Sequence, residues 1–115
     1  MIAWARDAKA AWAAASAAAA LALAATAASG QDATALASQG KRLFTEQGCY
    51  GCHTVGKMGT PIANDLSQVG SKHPESYLRQ WLREPQQQKP RAHMPKIQMT
   101  EADARALAAY LASLK

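Results

Sequence analysis

The chain has two cysteines, and both lie in Cys49-Tyr50-Gly51-Cys52-His53. In C-x-x-C-H, two thiols three positions apart can add to the two vinyl groups of a haem, and the next residue is placed to ligate the iron from one side. Each residue type has a reason. Thioethers fix a porphyrin irreversibly, imidazole nitrogen binds ferrous and ferric iron, and adjacency in sequence removes the entropy of finding the ring. Three other chemistries use such a pair. A redox-active C-x-x-C opens a helix packed on a sheet, whereas this motif follows a helical pattern with no strand pattern before it. A zinc site lacks a second cysteine pair and has only His73 and His93 to complete it. A structural disulfide between Cys49 and Cys52 closes a short, strained loop.

The elements that must position this motif follow from pattern. Leu36, Gly40, Leu43, Phe44 and Gln47 repeat at helical spacing, and Gly48 sits where a left-handed residue commonly stops a helix. From Cys49 to Gly70 no period is sustained, while glycines and Pro61 argue for a loop with tight turns. Pro74 occupies a favoured first helical position, Tyr77, Leu78, Trp81 and Leu82 make an apolar face, and Pro85 ends the run. Pro85, Pro90 and Pro95 then recur at intervals that forbid regular helix or central strand. Thr100-Glu101-Ala102-Asp103 approximates a capping box, with Leu107, Tyr110, Leu111 and Leu114 as the stripe behind it. The pattern predicts an all-α domain over 34–115 with three main helices and long loops, and long loops in so small a domain are usually held by something they bind.

The first 28 residues, of which 17 are Ala, read as an export signal. Arg6 and Lys9 precede an uncharged run from Ala10 to Ala28, and Ala25-Thr26-Ala27 fits an A-x-A cleavage site. At 1.5 Å rise per residue that run reaches roughly 28 Å, enough for a retained anchor. Its composition disfavours spanning, because beyond Trp12, Leu21 and Leu23 the run is Ala, Ser and Thr. A membrane therefore enters only if the leader is uncleaved. Past residue 30 there are only one Phe, one Trp and three Tyr, so something else must help to fill the core. The formal net charge of +5, with 18% charged residues, excludes a disordered acidic or polybasic tail and is too modest to indicate nucleic-acid binding.

From Gly40 to Lys115 the sequence resembles a class I monohaem c-type cytochrome: Gly40 and Phe44 before the motif, Cys49 to His53, the Trp81 helix, then Pro90-Arg91-Ala92-His93-Met94-Pro95 and a terminal helix with Ala109-Tyr110-Leu111. The resemblance implies a cytochrome c fold wrapped around one haem c, covalent through Cys49 and Cys52, with His53 and Met94 as axial ligands. It also implies that Gly40 lets Tyr110 approach closely, and that the Trp81 indole lies near a haem propionate. Met58, Met99 and His93 are weaker candidates for the sixth position. Family members often carry Gly-Pro-x-Leu after the motif, the Pro carbonyl accepting from the proximal imidazole. Here the stretch is Ile62-Ala63-Asn64-Asp65-Leu66 with Pro61 three positions early; Pro61 is grouped with the cofactor-binding residues, although any backbone carbonyl can serve.

A haem with both axial positions filled by protein leaves one electron in and one out as its chemistry. The expected function is that of a soluble periplasmic electron carrier. The alternative is a haem c subunit bound permanently to an exported dehydrogenase or oxidase, such as one oxidising sulfite or another small inorganic anion. A five-coordinate haem that binds gas or turns over peroxide requires Met94 to be off the iron. Seven Lys and Arg between Lys57 and Lys96, against Asp65, Glu75 and Glu84, would steer the domain toward redox partners with acidic docking surfaces; equally, such charges simply solvate a small domain.

Overall fold

The chain divides into two units, 1–32 and 33–115. The computed structural model describes residues 32–115. The expected export signal over 1–28, cleaved or retained, lies outside the described residues.

Helix α1 is described over residues 32–46. Gly48 follows in the left-handed region at φ 76°, a conformation a side chain resists, and turns the chain into a single 3-10 turn at Cys49–Gly51. Two short strands, β1 (Thr54–Val55) and β2 (Met58–Gly59), pair antiparallel with Thr54 opposite Gly59. Four further helices complete the domain: α2 (Val69–Lys72), α3 (Glu75–Arg83), α4 (Pro85–Gln88) and α5 (Glu101–Ala112). The three long helices stand where periodicity places them. Both one-turn helices and the hairpin were not expected. Pro85 ends α3 and also opens α4, because its fixed φ and missing N–H suit a first helical turn. The proline spacing therefore permits one turn of helix where none was predicted. Pro74 stands just outside α3 as its extended N-cap rather than within it.

The core is where α1, α3 and α5 meet. Phe44 from α1, Leu78 and Leu82 from α3, and Leu107, Tyr110 and Leu111 from α5 are buried together. Burying each such side chain contributes about 1.5–3 kcal/mol before the cost of ordering it. At Gly40 the backbones of α1 and α5 come so close that a Cβ would overlap the Ala106 carbonyl oxygen and lie 2.7 Å from Tyr110 Cβ. The expected capping box closes α5: Asp103 N–H donates to Thr100 Oγ1 at 3.1 Å and Thr100 N–H donates to Asp103 Oδ2 at 3.3 Å. The Gly70 N–H donates to the Leu114 carbonyl at 2.7 Å, docking α2 on the C-terminal end. Among the described residues no helix is long and apolar enough to cross a membrane.

Candidate haem-binding site

Cys49 is half-buried and Cys52 exposed, and the two are not bonded to each other. The 3-10 turn brings them onto one short arc, with Cys52 N–H donating to the Cys49 carbonyl at 3.3 Å and His53 N–H to the same oxygen at 3.0 Å. Burial pushes the Cys49 thiol up, against the opposing effect of a backbone hydrogen bond, and so favours the neutral S–H form.

His53 is aimed by the chain that returns past it. Its Nδ1 lies 2.7 Å from the Asn64 carbonyl oxygen. A carbonyl can only accept, so Nδ1 carries the proton and Nε2 keeps its lone pair for a metal. Pro61 is exposed, three positions before the residue that makes this contact. The carbonyl that meets His53 therefore belongs to Asn64 and not to Pro61. The signal was present: aligned on Leu66, Asn64 takes the place of the proline in Gly-Pro-x-Leu, and its backbone does the same work.

Met94 is held at two points. Its sulfur accepts from the Trp81 indole N–H at 3.1 Å, and its carbonyl accepts from Gln86 Nε2 at 3.0 Å. Gln86 also donates to the Ala92 carbonyl at 3.3 Å, so one exposed amide from α4 braces the proline-rich loop. The indole N–H expected at a propionate is thus directed at the Met94 sulfur instead. Gln86 was not foreseen, since a polar residue between prolines carries no pattern of its own. Of the rival ligands, Met58 is 62% exposed and His93 is exposed, while Met99 packs on the core. His73 stacks on Tyr77 with ring centroids 4.4 Å apart.

These residues fit a haem. Two thiols on one turn, an imidazole with its far nitrogen available and a neutral thioether form the donor set. Val55, Leu66, Tyr77 and Met99 pack on the core yet stay only half-buried, which suits the wall of a flat apolar ligand. Around the site, Lys96 pairs with Glu84 at 2.7 Å and Arg83 with Glu101 at 2.6 Å. Both pairs are solvent-exposed and contribute little to stability, but they engage two of the cations expected to steer partners.

The sequence profile of the Cytochrome c family matches residues 37–115. A relative, cytochrome c oxidase subunit 2 of Alkalihalophilus pseudofirmus, is 38% identical over 88 residues, covering 69% of this chain. The chain spans 26% of that relative's length. No solved structure matches the chain with significance. With the profile running through the C-x-x-C-H turn and on to the last residue of α5 and beyond, the chain belongs to the cytochrome c family, and its cofactor is haem c bound covalently through Cys49 and Cys52.

Proposed function

We propose that this protein is an exported one-electron carrier whose haem is held between His53 and Met94. The observation that carries this reading is the Met94 sulfur, fixed by Trp81 at 3.1 Å while its backbone is braced by Gln86. A methionine meant only to fill space has no need of a donor on its sulfur. When bound, the haem supplies a metal that gains or loses one electron. The chain's own residues do the rest. His53, with its proton fixed on Nδ1, offers one neutral nitrogen, and Met94 offers a soft neutral sulfur that favours the ferrous state and so raises the potential. With both positions taken by protein, no site remains for a substrate to coordinate. The leader-like composition of residues 1–28 supports export to the periplasm.

The test is the ferric absorption spectrum. The parent protein is expected to show the weak sulfur-to-iron band at the red end, and Met94→Ala to abolish it and lower the reduction potential. If band and potential are unchanged in Met94→Ala, Met94 is not the ligand. A second reading is favoured by the oxidase subunit among the relatives: the domain serves as the electron-transfer part of a larger oxidase or dehydrogenase. Gel filtration of the native protein separates the two, since a carrier elutes alone at its own mass.

A further inference from the structure

Three consecutive contacts run between the chain at His53 and the chain that returns past it. Ala63 N–H donates to the Cys52 carbonyl at 2.6 Å, His53 Nδ1 donates to the Asn64 carbonyl at 2.7 Å, and Thr54 Oγ1 donates to Asp65 Oδ1 at 3.0 Å. The middle contact sets the imidazole. The last depends on a side chain that the electron-transfer reading leaves without a task.

Asp65 Oδ1 is more than a partner for Thr54. It also accepts from the Ser67 N–H at 3.1 Å and the Ser67 hydroxyl at 2.7 Å, and that hydroxyl in turn accepts from the Gly56 N–H at 2.7 Å. The return segment is therefore tied to both β1 and the turn after it. The backbone adds a further tie, with Leu66 N–H donating to the Thr54 carbonyl at 2.8 Å. A peptide unit is planar, so once the Asp65 nitrogen and Cα are held the Asn64 C=O can swing only about the Asp65 N–Cα bond. Whatever immobilises Asp65 therefore narrows the directions open to the Asn64 carbonyl. The Ser67 hydroxyl first, then the Ser67 N–H and Thr54, hold the Asp65 carboxyl below its ordinary 3.8, so at neutral pH it is an acceptor for all three donors.

We propose that Asp65 is a positioning residue for the axial imidazole: its carboxylate, bonded to Thr54 and Ser67, holds the Asn64 carbonyl on His53 Nδ1 and thereby sets how strongly His53 donates to the iron. The proposal rests on His53 being an axial ligand. A short Nδ1–H···O contact makes the imidazole a better donor, which favours the ferric state and lowers the potential. A loosened contact raises it.

Three variants of the holoprotein separate position from charge. Thr54→Val removes one donor to Asp65 and leaves every charge in place. Asp65→Asn removes the charge but keeps a side-chain carbonyl to accept. Asp65→Ala removes both. The readouts are hydrogen exchange of the His53 Nδ1–H in the ferrous protein by NMR, and the reduction potential at low and high salt. Thr54→Val and Asp65→Ala are expected to exchange that proton several-fold faster and to raise the potential at both salt concentrations. Asp65→Asn should keep the slow exchange, with a potential shift that fades in high salt because it reflects only an exposed charge. Exchange as slow as the parent's in both Thr54→Val and Asp65→Ala overturns the clamp and leaves His53 ligation standing. A parent spectrum without ring-current-shifted His53 signals overturns the ligation and the clamp together.

Discussion

Gly40→Ala pushes a methyl group into the backbone of α5. The added Cβ would overlap the Ala106 carbonyl oxygen and stand 2.6 Å from the Ala106 carbonyl carbon and 2.7 Å from Tyr110 Cβ. Ordinary Cβ contacts begin near 3.4 Å, so α1 and α5 must part by at least about 0.7 Å to relieve the Tyr110 contact alone. A gap of that size forfeits roughly a quarter to a half of each dispersion well along the seam. The seam holds Phe44, Leu107 and Tyr110, with the Phe44 and Tyr110 rings edge to face at 5.6 Å. Overpacking costs about 1–3 kcal/mol, and the obstacle here is backbone rather than a side chain that can rotate away, which argues for the top of that range. Replacing Gly by Ala within a helix returns about 1 kcal/mol. The net expectation is a loss of about 2 kcal/mol, or about 10 °C in Tm for a domain of this size. Thermal and guanidinium unfolding of the ferric holoprotein, followed by far-UV circular dichroism, measures it. Ser38→Ala, exposed on the same helix, is the control and should change stability little. A Gly40→Ala protein as stable as its parent would refute the account of how these helices meet.

Trp81→Phe keeps the apolar bulk but removes the N–H that donates to the Met94 sulfur at 3.1 Å. That bond contributes about 1 kcal/mol, so, with Met94 as the proposed ligand, added imidazole should displace it from ferric iron about fivefold more readily; an unchanged imidazole affinity removes the indole from ligand positioning. Burial pushes the Tyr110 hydroxyl above its ordinary 10.0, helped by the Tyr50 charge and hydroxyl. Its stabilising effect is complete below pH 10 and declines as pH rises further, because the unfolded chain ionises first. Tyr110→Phe should flatten the alkaline fall in guanidinium midpoint, and an equal fall in both proteins would place its origin elsewhere.

The long helices were legible in the sequence because their apolar faces and their stops are written locally. Phe44, Leu78, Leu82, Leu107 and Leu111 all fall on the predicted faces and all are buried. Gly48 and the Thr100–Asp103 box act at the ends where their types place them. The C-x-x-C-H turn was legible for a different reason, since its chemistry requires a fixed spacing. What could not be read was the partner of each proposed ligand. Asn64 reaches His53 through a backbone carbonyl, which every residue has, and Gln86 braces Met94 through an amide eight positions away. Neither contact leaves a compositional mark. That the Trp81 N–H donates is readable from its type, but which acceptor it meets depends on the path of the proline-rich loop. The one-turn helices α2 and α4 are too short for a period to declare itself, and the two-residue strands are set by a turn rather than by β propensity.

The ties on His53 all come from loop and hairpin residues 52–67, whereas Met94 is gripped by two helices, α3 and α4. With His53 and Met94 as the proposed axial ligands, one flank of the porphyrin is a loop buckle, and the other depends on α3 and α4 being folded. On the proposed ligation, heat or denaturant should strip the sulfur flank first and expose an open metal while the nitrogen flank and both thioethers still hold. A haem domain built this way would pass through a reactive, half-undone form before it ever loses its colour.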